Sequence, residues 1–341
     1  MHMADALLSP AVGGTMWAVA AGSIGHCSRR VRRELDDHKI PLMGVLGAFI
    51  FAAQMINFTI PGTGSSGHLG GGIILAILLG PYAAFLVMGS VLMVQSLFFA
   101  DGGLLALGCN VFNLGVFPCF IAYPLIYKPL AGSRPGVARL WVGSLLAAVV
   151  GLQLGAFGVV METLLSGISA LHFTTFTMLM QPIHLAIGLV EGVVTATVVS
   201  FVWSARPGIL AAAAEGTTIG KVSIRPVLLS LFLAALVIGG GLSWFASSHP
   251  DGLEWAIYKA SGSEELEAPE DEIHHVLSEI QEKIALLPGY NYPAGPVLAG
   301  PVDHADSTID AGTSIAGFVG GLVTLMIASV LGWLLRSRQD K

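Results

Sequence analysis

The sequence predicts an all-α integral membrane protein, and three observations point there. Only 11% of its 341 residues are charged and 54% are hydrophobic, whereas a soluble domain carries roughly 25% charged residues. So few charges cannot build a water-facing surface, and lipid must cover much of the chain. The apolar residues also fall in runs, and a spanning helix needs about 20 of them. Glycine, at 43 residues, suits helices that pack closely in a bilayer.

The runs lie at 10–28, 41–59, 69–82, 84–100, 104–127, 140–162, 178–204, 226–246 and 311–335. The first resembles a signal peptide in length, but it has no basic residue before it, and its positive charges follow it. The amino-terminal segment is therefore expected to be retained. Residues 40–100 carry no charge, so hydropathy alone leaves two or three helices there. Basic residues favour the cytoplasmic side of short loops. With nine spans, 14 of the 16 basic residues fall inside, and Lys259 and Lys283 are the exceptions. With two helices in 40–100, one basic cluster would face out. Nine spans follow, with an extracytoplasmic N-terminus and a cytoplasmic C-terminus. The third span is expected to be short or re-entrant, broken near Gly80-Pro81.

The loop 247–310 then lies outside and holds 13 of the 22 acidic residues, including Glu264, Glu265, Glu267, Glu270, Asp271 and Glu272. A solvated helical face around 264–286 is the plain reading, and a weak cation collector is the sharper one. Cys27, Cys109 and Cys119 match no zinc spacing and read as packing residues.

The chain opens Met1-His2-Met3. A free amine at Met1, the amide nitrogen of His2 and its Nδ1 can close fused five- and six-membered chelate rings, with three nitrogens in one plane. That amide must lose its proton, which Ni²⁺ or Cu²⁺ drives far better than Mg²⁺ or Ca²⁺, and planar nitrogen donors suit those metals. His68, in a glycine-rich loop predicted on the same side, offers a fourth nitrogen. The loop is no phosphate cradle, because no Lys-Ser/Thr follows its glycines. Polar residues inside the spans are Gln54, Asn57, Asn110, Asn113, His184 and Glu191. Such groups are expensive in lipid and face the bundle interior. Each also has a plainer account, a solvated terminal histidine or a hydrogen bond between helices.

As a set, five stretches resemble the substrate-binding M component of nickel and cobalt energy-coupling-factor transporters, the NikM/CbiM family. They are Met1-His-Met-Ala-Asp-Ala-Leu-Leu-Ser-Pro10, Ala53-Gln-Met-Ile-Asn57, Gly67-His-Leu-Gly70, the run from Asp101 to Asn113, and the run from His184 to Ala196. The resemblance implies a seven-helix S-component bundle whose metal site maps onto Met1, His2 and His68. The tail carries Pro250-Asp-Gly-Leu-Glu254, similar to the PDGLE signature of the N component, which implies two more spans around an extracytoplasmic loop. The expected division is an M-type domain over 1–205, a cytoplasmic linker over 206–225 and an N-type domain over 226–341. Such fusions are familiar on the nickel side, which favours Ni²⁺ as cargo over Co²⁺.

The partners implied are a transmembrane coupling subunit and two cytoplasmic ATPases in the cell membrane. The chain has no Walker sequence of its own, and no nucleic-acid partner is expected. An intramembrane metalloenzyme is the competing class, yet no His-Glu-x-x-His helix exists and no catalytic residue is assigned. A vitamin-binding component would need an aromatic-lined pocket, to which nothing in the sequence points.

Overall fold

The computed structural model describes residues 2–132, 135–220, 223–263, 266, 269, 271–292 and 311–336. The protein is a multi-pass helical membrane bundle. Its helices are α1 (Pro10–Val31), α2 (Lys39–Gln54), α3 (Gly72–Leu79) and α4 (Pro81–Phe99). Then come α5 (Leu107–Ala131), α6 (Val137–Ser166), α7 (Phe173–Ala205), α8 (Pro207–Glu215) and α9 (Arg225–Gly240). The tail adds α10 (Gly252–Ser261), α11 (Glu272–Ile284) and α12 (Ala311–Leu335). Among the described residues, α4, α5, α6, α7 and α12 are long and apolar enough to cross a membrane, and α2 and α9 are shorter apolar helices.

α4 runs through the middle of the bundle, buried along most of its length. α6 and α7 pack along each other, and both turn leucine, valine and phenylalanine outward, as at Val142, Phe157, Leu189 and Val193. α12 and α9 lean on α2 and on each other. Gly239 and Gly317 make the α9–α12 crossing: a Cβ on Gly317 would stand 2.3 Å from the Gly239 carbonyl oxygen, so only glycine allows this approach.

The third apolar run departs from a full span. α3 has eight residues, about 12 Å of helix, well under the ~30 Å of hydrocarbon. It ends at Gly80, whose φ of 80° breaks the helix before Pro81 opens α4. The run over 41–59 also stops early. After Gln54 the chain enters a two-stranded hairpin, β1 (Phe58–Ile60) against β2 (Ser65–Gly67), in antiparallel register with Phe58 opposite Gly67. Apolar composition cannot separate a buried strand from a helix end, and Pro61-Gly62 between them is turn chemistry. Residues 206–225, expected as a linker, contain α8. α5 winds over Phe112–Tyr127 as a wide π-type helix, with Pro118 and Pro124 inside it.

The charged loop ends meet at one end of the bundle. Arg336 pairs with Asp37, the Gly220 amide donates to Asp36 Oδ2 at 2.8 Å, and Lys128 Nζ donates to the Ala214 carbonyl at 2.8 Å. Lys39 is buried there against Glu34 at 2.8 Å, so part of the basic cluster is structural rather than solvated. His2 and His68 lie at the opposite end. The three cysteines are buried and free.

Candidate functional site

The segment before α1 is pinned along its length. Ser9 caps α1, with Pro10 in the first turn. Asp5 Oδ1 accepts from the Ala106 amide at 2.9 Å. Met3 is held on both backbone groups: its amide donates to Asn110 Oδ1 at 2.8 Å, and its carbonyl accepts from Asn110 Nδ2 at 3.3 Å and from the Gly103 amide at 2.9 Å. This fixes His2 beside the α4–α5 connection. The Met3 side chain is fully buried, with its sulfur 4.0 Å from Asn113 Nδ2. Asn113 itself donates to Glu162 Oε2 at 2.7 Å.

The loop after β2 is anchored from below. Glu191 accepts the Gly70 amide at 2.7 Å and the Gly71 amide at 3.0 Å, one on each carboxylate oxygen. Gln54 Nε2 donates to the Gly70 carbonyl at 2.8 Å, and Gln95 Nε2 donates to Gln54 Oε1 at 2.9 Å. Three helices, α2, α4 and α7, thereby set the position of His68.

His2 and His68 meet face to face, with ring centroids 5.0 Å apart and planes 8° apart. Both side chains are buried, 6% exposed at His2 and 7% at His68. His68 Nδ1 lies 3.1 Å from the Leu69 carbonyl, which assigns that nitrogen the proton and leaves the lone pair on Nε2. Burial above all pulls the His68 imidazole down to about 3, with nearby positive charge, His2 included, adding to it, so it is neutral at physiological pH. His2 Nδ1 is 3.0 Å from Asp101 Oδ1, and its Nε2 is buried with no hydrogen-bond partner. Burial alone would raise the Asp101 carboxyl. The charge and hydrogen bond of His2, with a hydrogen bond from Tyr290, hold it well below the usual carboxylate range.

The tail supplies the other wall. Asp251 caps α10 in a reciprocal capping box with Glu254, and this sets Asp251 Oδ2 3.9 Å from His68 Nε2. The Tyr290 hydroxyl donates to Asp101 Oδ2. The Ser66 amide donates to the Pro250 carbonyl at 2.8 Å, and the Ser247 amide to the Asn57 carbonyl at 2.7 Å. Gln281 Nε2 bridges the Ser96 and Gly102 carbonyls.

The sequence-predicted residues sort clearly. Met1 lies outside the described residues, as do Glu264, Glu265, Glu267 and Glu270 of the acidic run. His2 and His68 come together. Gln54, Asn110, Asn113 and Glu191 hold the two segments that bear them. Asn57 contributes through its backbone. His184, on the same face as Glu191, is fully buried and bonds through Nδ1 to the Met180 carbonyl in its own helix at 2.8 Å. Sequence reasoning missed Asp251 and Tyr290 as neighbours of the histidines, and set Asp101 beside His68 only under the metalloenzyme reading. Asp101 did carry a signal, as the first charge after the uncharged stretch 40–100. Tyr290 carried none.

Among the described residues no group of three or more His, Cys, Asp or Glu side chains could hold a metal ion. A metal bound between these histidines would need backbone nitrogens as well. A hydrolytic site, with three side-chain ligands and an open position for water, does not form among them.

Residues 2–209 match the family described as the cobalt uptake substrate-specific transmembrane region, CbiM, and residues 225–337 match the PDGLE domain. A fused NikMN-type protein of Archaeoglobus fulgidus is 32% identical over 97% of this chain and 98% of its own length. The cobalt transport protein CbiM of Sorangium cellulosum is 32% identical over 62% of this chain and 94% of its own. The crystal structure of a truncated transition metal transporter superposes with a TM-score of 0.54 at 28% identity, over 60% of this chain and 99% of that one. The chain belongs to the CbiM/NikM family of substrate-binding transmembrane components, fused here to a PDGLE-containing tail.

Proposed function

We propose that this protein is the substrate-binding component of an ATP-driven energy-coupling-factor importer for nickel ions. The cargo is bound by the Met1 amine, the His2 amide and Nδ1, and His68 Nε2. The observation that carries this reading is the pairing of two buried imidazoles, 5.0 Å apart, from segments distant in the chain. His68 is already in the tautomer that presents Nε2. Loading exchanges the Asp101 carboxylate for the metal at His2 Nδ1, leaving Asp101 to Tyr290. Four nitrogens in a plane, one a deprotonated amide, give a strong in-plane field. Ni²⁺ gains most from it by pairing its d electrons, whereas Zn²⁺ prefers a tetrahedron.

The M-type part, 1–205, forms a seven-helix bundle, 206–225 links it to the N-type part, and 226–341 adds two spans. The histidine end faces outward and the basic end faces the cytoplasm, where a coupling subunit and two ATPases drive the cycle. Relatives named for cobalt transport make Co²⁺ the second reading, and the NikMN-type fusion favours nickel.

The test is metal analysis and spectroscopy of the purified protein with its native terminus. Nickel-loaded protein is expected to be yellow and diamagnetic, and His68→Ala is expected to lose tight binding while remaining folded. Paramagnetic six-coordinate nickel refutes the planar site. Cobalt uptake with nickel ignored overturns only the choice of cargo.

A further inference from the structure

A cavity of about 410 Å³ opens between the amino-terminal segment and the tail. Its wall carries four carboxylates, Asp5, Asp101, Asp251 and Glu254, with His2 and His274. Two of these acids come from the front of the chain and two from the tail. Several are partly engaged. Asp5 Oδ1 accepts the Ala106 amide, Asp251 Oδ1 accepts the Leu253 and Glu254 amides, and Glu254 Oε2 accepts the Asp251 amide. These bonds fix the carboxylates in place without removing their charge. Burial, and then the charge of Asp251, push the Glu254 carboxyl up, and burial pushes Asp5 up. The recess therefore gathers negative charge that its own groups share at a cost.

An acidic recess alone specifies no ligand. Here a second feature points to one: the same cavity is lined by His2, whose side chain is 6% exposed and whose Nε2 is buried without a hydrogen-bond partner. A cation crossing the recess arrives beside His2, whose Nδ1, next to Asp101, is the ligand proposed above. Walls of one sign with low-dielectric backing focus the field and raise the local concentration of an oppositely charged ligand.

We infer that this recess is the approach vestibule for a divalent cation, in which Glu254 of the tail steers the ion inward to His2. The inference rests on the His2–His68 site proposed above. It gives the PDGLE segment a defined task, because that segment builds half of the vestibule wall and contributes no nitrogen to the site. Steering acts on the rate of loading. Once the ion is at the nitrogens, Glu254 has no part in holding it.

Glu254→Gln separates these roles, since glutamine keeps an oxygen for the Asp251 amide and removes one charge. Full-length purified protein is mixed with NiCl₂ in stopped flow, and the absorbance of the loaded site is followed. At low ionic strength the association rate is expected to fall roughly three- to tenfold, with the dissociation rate unchanged. The gap between variant and wild type is expected to close as salt rises toward about 1 M. Glu279→Gln on the exposed face of α11, outside the recess, is expected to load like wild type. Wild-type loading by Glu254→Gln overturns the vestibule, and so does an equal slowing by Glu279→Gln, because general surface charge would then suffice. His68→Ala in the same series tells the two readings apart. If it binds nickel as wild type does, the underlying site is wrong; if it loses binding while Glu254→Gln loads normally, only the vestibule falls.

Discussion

Replacing Glu191 with glutamine tests whether the loop bearing His68 is held in place from within the membrane. Glu191 is 2% exposed and accepts two backbone amides, Gly70 at 2.7 Å and Gly71 at 3.0 Å. Glutamine is nearly isosteric but has one acceptor oxygen. Its amide group then faces a backbone N–H, donor against donor, in a buried site. Losing one charge-assisted bond costs about 1.5–3 kcal/mol. Gln54 still holds the Gly70 carbonyl, so the loop shifts rather than melts. If the whole penalty falls on the metal-ready position of His68, affinity drops roughly 10- to 150-fold. Calorimetric titration of Ni²⁺ into wild type and Glu191→Gln, with circular dichroism to confirm equal helix content, reads the effect. Affinity within twofold of wild type would show that the hairpin alone fixes His68 and would refute this account.

Three further outcomes follow from the same geometry. Because Asn110 and Gly103 clamp Met3 on both backbone groups, one residue inserted between Met1 and His2 displaces the amine by about 3.8 Å. Metal uptake should be lost, whereas a tag after Lys341 should leave it intact. A chain truncated after Gly220 keeps every proposed nitrogen but loses Asp251 and Tyr290. It is expected to bind nickel, release it faster and transport poorly, and loss of binding in a folded truncation would contradict that division. His274 places both ring nitrogens on acceptors, Asp271 Oδ2 on one side and the Leu8 and Asp5 carbonyls on the other. Burial pulls its imidazole down, yet these acceptors outweigh burial and the net shift is upward from 6.5. The clasp should therefore be complete below that value and weaken as pH rises through the raised one. Hydrogen exchange of α11 amides, corrected for intrinsic rate, should show less protection near pH 8.5 than near pH 6. A flat profile, or the same slope in His274→Ala, would count against it.

Much of this was legible in the sequence because lipid imposes a simple code. The apolar runs located each long helix to within a few residues. Gly80-Pro81 marked the break below α3, and the intramembrane cost of Glu191 marked it as a residue needing a partner. What that partner would be could not be read, since the Gly70 and Gly71 amides lie 121 and 120 residues away. The tail was read in part. The solvated helical face expected around 264–286 is present in α11, but hydropathy says nothing of whether such a segment folds back. The contacts from Tyr290 to Asp101 and from Asp251 toward His68 are long-range and specific. His184 shows the opposite failure. It lies on the expected face, but its Nδ1 closes onto its own helix one turn back, which spacing alone cannot distinguish from a ligand.

Each of the two imidazoles stands beside a carboxylate, and the carboxylates have different origins. Asp101 of the α4–α5 connection faces His2, and Asp251 of the tail lies 3.9 Å from His68 Nε2. Both carboxylates face a nitrogen proposed as a ligand, so a bound ion would come between carboxylate and imidazole. In the proposed loading step the metal takes His2 Nδ1 from Asp101, and Asp101 then has Tyr290 as its remaining side-chain donor. Tyr290 belongs to the segment that also docks Leu287 onto the Phe98 carbonyl at 3.0 Å. A dication placed between two such carboxylates also strengthens the attraction of both. On the proposed site, occupancy would alter the hydrogen bonds that hold the tail against the bundle, and the tail's grip would in turn set how firmly His2 and His68 are presented. By reciprocity the two cannot be independent: whatever loosens the tail must lower affinity for the ion. Release to the far side is then driven most directly by a conformational change that separates Tyr290 and Asp251 from the histidines.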